Sequence, residues 1–134
     1  MKMNITKKII VVTTAVCLFS FYSQGQSLSE SIARGQEVYL NECVTCHMDN
    51  GEGISGAFPP LANSDYFKND ISKAVKVILN GLEGEVTVNG TTYYGVMDPV
   101  DLTDQEVADV LNYIQNNWGG KAKAISVKDV AQLK

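Results

Sequence analysis

Histidine is almost missing from this chain: among 134 residues there is one, His47. Any centre that needs two imidazoles is therefore excluded. Cysteine is nearly as scarce, with Cys17, Cys43 and Cys46 as the full complement, so a framework of several disulfides is excluded too. No internal repeat is visible. The apolar run at the N-terminus, Ile9 to Tyr22, has 14 residues, fewer than the roughly 20 of a membrane-spanning helix. A composition of 45% hydrophobic and 19% charged residues is that of an ordinary soluble protein rather than a disordered or repetitive one, and the length suits one domain.

What is present starts with a leader. Lys2, Lys7 and Lys8 precede the apolar run, and Ser23 and Gly25 supply small residues at the −3 and −1 positions of a cleavage site. This predicts a secretory signal peptide over residues 1–25 and a mature chain of residues 26–134, starting at Gln26, in the periplasm or otherwise exported. Retention of the leader as an anchor is the alternative. A lipoprotein at Cys17 is disfavoured because Val16 stands where a small residue is usual. Without the leader, 8 basic residues face 15 acidic ones, a net charge of −7, and only Cys43 and Cys46 remain.

Those two cysteines lie in Cys43-Val44-Thr45-Cys46-His47. Three apart on one helical turn, they present both sulfurs to the same side, where each can form a thioether to one haem vinyl group. The histidine that follows then sits against the iron. C-x-x-C alone also serves thiol exchange and zinc. A thioredoxin-like site needs a βαβ pattern that is absent around residues 43–46, and structural zinc needs four ligands where Cys43, Cys46 and His47 offer three, with a carboxylate as the available fourth. The motif therefore predicts one covalently bound haem c. A mature chain of about 109 residues is small for a self-sufficient core, and a buried haem adds the apolar surface it lacks.

Around the motif the pattern is mostly helical. Ile32, Gly35, Gln36, Tyr39 and Leu40 predict a helix from Ser29 to Asn41, with Gly35 and Tyr39 on one face for a close helix crossing. Gly51 to Leu61 is a loop rich in glycine and proline, and the Pro59 carbonyl is the candidate acceptor for the second ring nitrogen of His47. Ser64 to Phe67 suggests a helical turn. Asp70 to Leu79 predicts a helix capped by Asp70 and stopped by Asn80-Gly81. Val86 to Tyr94, with Asn89-Gly90 at its centre, predicts a small β-hairpin. Thr103 and Glu106 form a capping box for a helix carrying Val107, Val110, Leu111, Ile114 and Trp118, ended by Gly119-Gly120. Its natural partner is the Gly35 and Tyr39 face. In the basic tail, Ser126 is placed to cap a short turn with Val127, Val130 and Leu133 inward, and the terminus is expected to be solvated.

The second axial ligand follows by elimination. With one histidine, two imidazoles cannot hold the iron. Met48 is bonded to His47 and cannot reach the other side of the ring, whereas Met97, in a segment expected to be irregular, can. A thioether ligand favours ferrous iron and raises the reduction potential.

With these residues, the chain resembles a class I cytochrome c, specifically the small exported monohaem cytochromes related to the haem domains of quinoprotein alcohol dehydrogenases and some nitrite reductases. The resemblance rests on the haem motif, Phe58-Pro59-Pro60-Leu61-Ala62, Tyr94-Gly95-Val96-Met97, and Leu102-Thr103-Asp104 running to Asn116-Asn117-Trp118-Gly119. It implies a mainly α fold over residues 31–120, with crossed first and last helices around one haem, a small hairpin before the Met ligand, and an extension over 121–134. It implies His47 and Met97 on the iron. Members commonly have Pro directly after the ligand Met; here Asp98 precedes Pro99, and an acid there favours ferric iron. The function expected is transfer of single electrons between a dehydrogenase or membrane complex as donor and a terminal oxidase or reductase as acceptor, without catalysis of its own. The alternative is a haem enzyme or gas-binding cytochrome with an open sixth position. No nucleic-acid partner is expected, and membrane contact only through partners or an uncleaved leader.

Overall fold

The computed structural model describes residues 27–68, 70–120 and 123–134. The leader over 1–25 and the mature start at Gln26 lie outside the described residues, and among those described no helix is long and apolar enough to cross a membrane.

Helix α1 spans Leu28–Glu42 and starts at a reciprocal box: the Ser27 hydroxyl accepts from the Glu30 amide, and the Glu30 carboxylate accepts from the Ser27 amide. Such boxes satisfy donors that a helix start leaves open. The buried residues of α1 are Ser31, Gly35 and Tyr39, one every four positions and therefore on one face. One helical turn, α2 (Val44–His47), follows directly. After a loop come α3 (Asp65–Lys68) and α4 (Ile71–Asn80), the latter capped by the Asp70 side chain on the Ser72 amide. Strands β1 (Leu82–Val88) and β2 (Thr91–Met97) form an antiparallel hairpin. The long helix α5 (Asp104–Trp118) and a short α6 (Val127–Leu133) complete the chain.

Helix α5 is central. It buries Val107, Val110, Leu111 and Ile114 among Tyr39, Val75 and Val130, which draws α1, α4 and α6 into one core. Where α1 crosses α5, Tyr39, Tyr113 and Trp118 meet with ring centroids 5.2 to 5.6 Å apart, the separation at which edge and tilted aromatic pairs are favourable. The crossing also buries a carboxylate. Asp109 accepts from the Ser31 hydroxyl, from Arg34 Nε at 2.7 Å and from Gln105 at 3.0 Å, so its charge is both paired and hydrogen-bonded.

The start of α5 matches its sequence signature, with Thr103 and Glu106 bonded reciprocally. The Thr103 hydroxyl and amide hold the Glu106 carboxyl below its ordinary pKa. Thr103→Ala is expected to cost about 1 kcal/mol, seen as a fall of about 4–8 °C in the melting temperature. An unchanged melt would mean that packing alone fixes this helix end.

Two expectations need correcting. The hairpin is longer than Val86 to Tyr94, because backbone pairing continues through Gly84↔Gly95 to Leu82↔Met97. Met97 therefore ends a strand instead of lying in an irregular segment. Asn89 (φ 50°) and Gly90 (φ 76°) form the tight turn, and Asp65 and Asn89 exchange side-chain bonds to each other's amides, which ties that turn to α3. The tail, although most of its described residues are exposed, is docked and not a free terminus. The Asn112 side chain donates to the Ile125 carbonyl and accepts from its amide, Ile125 and Val130 are buried, and Lys134 pairs with Asp104. Val127, expected inward, is 40% exposed.

Candidate functional site

The Cys43 amide donates to Tyr39 O at 2.9 Å, ending α1, and the His47 amide donates to Cys43 O at 3.0 Å, closing the next turn. The cysteines and the histidine thus ride on a single turn rigidly continuous with the buried Tyr39. The Tyr39 hydroxyl donates to Met48 O at 2.7 Å, fastening the far end of that turn. Burial raises the Tyr39 pKa, so the hydroxyl stays a donor at neutral pH.

The loop after His47 folds back on the motif. The Gly53 amide donates to His47 O at 3.0 Å, Gly51 O accepts from the amides of Leu61 and Ala62, and Ile54 and Phe58 exchange two backbone bonds of 2.8 Å. This return needs glycine at 53. Its φ is +65°, and a Cβ there would stand 2.4 Å from Phe58 O and 2.8 Å from Pro59 O. The close approach delivers the Pro59 carbonyl to the imidazole, where His47 Nδ1 donates to it across 2.9 Å. That bond fixes the ring and its tautomer, leaving Nε2 as the bare nitrogen. Burial, opposed by the Pro59 carbonyl, lowers the His47 pKa and favours the neutral ring.

A cavity of about 490 Å³ opens beside the motif, within the range of small-molecule and cofactor sites. Most parts of the fold contribute a wall. Cys43, Cys46 and His47 line one part, Phe58 to Leu61 a second, Ala74 and Ile78 of α4 a third, and Leu111 and Ile114 of α5 a fourth; the hairpin adds Leu82, Val86, Val88, Tyr93 and Met97. Met97 and His47 thus line the same cavity, although fifty residues separate them.

The donor set fits an iron porphyrin better than its rivals. Cys43 and Cys46 are free of disulfides, and burial pushes the Cys43 thiol up to about 11, which disfavours the thiolate that exchange chemistry and zinc both require. Among the described residues no group of three His, Cys, Asp or Glu side chains is arranged to hold a metal ion. What the cavity does offer is two thiols on one turn, one oriented imidazole, one thioether and otherwise largely apolar walls, the set that a covalently attached porphyrin uses.

Sequence reading missed part of this arrangement. Gly53 had been legible only as loop punctuation, and its place two residues from Gly51 was the available signal. The alternation of Leu82, Val86 and Val88 was the signal for the hairpin wall.

Comparison with known proteins gives the same answer. The family model for cytochrome c matches residues 32–118. Cytochrome c-552 of Thermus thermophilus is 40% identical over 101 residues, covering 72% of this chain and 76% of that protein. The cytochrome c subunit of the quinone alcohol dehydrogenase of Gluconobacter oxydans is 35% identical over 105 residues, covering 75% of this chain but only 22% of the subunit. The cytochrome c subunit of gluconate 2-dehydrogenase from Pantoea cypripedii is 32% identical over 108 residues, covering 75% of this chain and 24% of the subunit. With more than half its length matched, the chain belongs to the cytochrome c family and carries one covalently bound haem c.

Proposed function

We propose that the protein is an exported, periplasmic carrier of single electrons, in which Cys43 and Cys46 would attach the haem and His47 and Met97 would ligate its iron. Residues 1–25 serve as the leader and 26–134 as the mature carrier. Haem c bound there supplies one reversible electron step at its iron. The protein's own residues limit the chemistry to that step. His47 offers Nε2 because Nδ1 is committed to Pro59, and that hydrogen bond raises the basicity of the ring. Met97 offers a sulfur that favours the reduced state. With His47 and Met97 both engaged, the site would leave a substrate no place on the metal, and the haem would supply electron transfer alone.

The observation that carries this reading is the presence of His47 and Met97 on the walls of one cavity. A dehydrogenase or membrane complex is the donor and a terminal oxidase or reductase the acceptor. The appearance of this domain in cytochrome c subunits of an alcohol dehydrogenase and a gluconate 2-dehydrogenase supports a dehydrogenase as donor. With a net charge of −7 after the leader, docking to such partners is expected to weaken with salt.

The test is a spectroscopic redox titration of the exported protein with and without carbon monoxide. One reversible one-electron couple is expected, with a reduced spectrum that carbon monoxide leaves unchanged at neutral pH. Rapid binding of the gas would replace the carrier with a gas-binding or enzymatic haem protein.

A further inference from the structure

The two faces of the hairpin differ sharply. Strand pairing sets Glu83 opposite Val96 and Glu85 opposite Tyr94. Paired residues share a face, so these four side chains lie together on the side turned away from the buried Val86 and Tyr93. All four are exposed. Tyr94 and Val96, at 69% and 66% exposure, are the two most exposed large hydrophobic side chains among the described residues. Scattered single apolar residues on a surface need no explanation. These two are adjacent on one strand face, and the Tyr94 hydroxyl donates to Glu85 Oε2 at 2.9 Å, which orients the ring across the sheet.

Charge along the chain that carries this pair has one sign. From residue 82 to 101 the chain carries Glu83, Glu85, Asp98 and Asp101 and no lysine or arginine. All four carboxylates belong to exposed residues. An apolar centre with an acidic rim is the complement of an apolar patch ringed by basic side chains, and small interfaces of that anatomy suit short-lived redox encounters.

The wall behind the patch is thin. Gly84 and Gly95 face each other in the row that points toward the cavity, both line it, and a Cβ added to either would meet nothing within 4 Å. Tyr94 and Val96 border the same cavity. At this register only backbone separates the cofactor cavity from the outer face. Tunnelling rates fall exponentially with distance, so a partner seated on a one-layer wall exchanges electrons faster than one seated over a helix.

We propose that the outer face of the hairpin, centred on Tyr94 and Val96 and rimmed by Glu83 and Glu85, docks a redox protein presenting an apolar patch ringed by lysine or arginine. One electron crosses in the encounter, oxidising one protein and reducing the other, with no bond made or broken. The inference rests on the carrier reading above.

The probe is a basic cupredoxin, used in its copper form for electron exchange and zinc-substituted for mapping, with the complete haem-loaded protein. Amide resonances perturbed by the zinc form are expected to cluster in residues 82–97. The double variant Glu83→Lys, Glu85→Lys should keep the haem spectrum but associate about tenfold more slowly at low salt, with a shallower salt dependence. Tyr94→Ala with Val96→Ser should weaken binding while leaving the salt dependence unchanged. Perturbations mapping elsewhere, or both variants exchanging electrons at the wild-type rate, would overturn the docking face and leave the carrier standing. A wild-type protein that binds carbon monoxide and exchanges no electrons would overturn the carrier, and the docking face with it.

Discussion

Met97→Leu is expected to lower the reduction potential by on the order of a hundred millivolts or more, a fraction of the roughly 0.8 V over which axial ligands tune haem, and to let the reduced protein bind carbon monoxide. Leucine is chosen because it nearly conserves volume, which keeps the packing cost under about 1.5 kcal/mol. Met97→Ala removes the same sulfur and also leaves space beside Leu82, its partner across the hairpin. The alanine variant should therefore show the same spectral change with a larger loss of stability. That loss stays at or below the lower end of the roughly 2–5 kcal/mol for buried Met→Ala, because Met97 is only half-buried. Met48→Leu is the control. It replaces the other methionine of the described residues, next to His47, and should leave the potential unchanged. If Met97→Leu keeps both the wild-type potential and resistance to carbon monoxide, Met97 is not on the iron.

How much of this could be read from sequence depends on how local the physics is. Thr103 and Glu106, or Asp70 and Ser72, satisfy helix-end amides within a few residues, so the pattern itself encodes the bond. Asn89-Gly90 is equally local, since both positions adopt positive φ. The motif at 43–47 announces its cofactor because the chemistry demands those residue types at that spacing. The hairpin's length was hidden for the opposite reason. Gly84 and Gly95 pair through backbone alone and interrupt the alternation that marks a strand, so Met97 appeared to fall beyond it.

The buried polar residues of α5 were hidden too. Asp109 and Asn112 interrupt an otherwise apolar face, and their partners Ser31, Arg34 and Ile125 come from other elements, two of them more than seventy residues away. Asn112 shows the consequence best. Its amide binds both backbone groups of Ile125 and also donates to Ser31, so one side chain holds the tail and α1 together. A tail that looks solvated by composition is thereby fixed in place.

Gly35→Ala tests how closely α1 and α5 cross. On an exposed helix the substitution would stabilise by about 1 kcal/mol through propensity alone. Here the new Cβ would stand 1.9 Å from Asp109 O, 2.4 Å from Asp109 C and 2.9 Å from Tyr113 Cβ. Ordinary carbon–oxygen contact is about 3.3–3.6 Å, so α5 must retreat by roughly 1.5 Å, and the obstructing atoms are backbone that cannot rotate aside. Asp109 cannot move freely, since Ser31 and Arg34 on α1 itself hold its carboxylate. The strain should reach or exceed the upper end of the 1–3 kcal/mol typical of overpacking, about 3 kcal/mol, which outweighs the propensity gain. The net effect is a melting temperature lower by about 10 °C or more. Haem loading should fall as well, because α1 leads into Cys43 while α5 supplies Leu111 and Ile114 to the cavity wall, and separating them misaligns the two sides. Ala33→Gly, at an exposed position of the same helix, isolates propensity and should cost only about 1 kcal/mol. A Gly35→Ala protein that melts higher than wild type would mean that the backbones of α1 and α5 do not meet at this point, and the haem turn would have to be held by the loop alone.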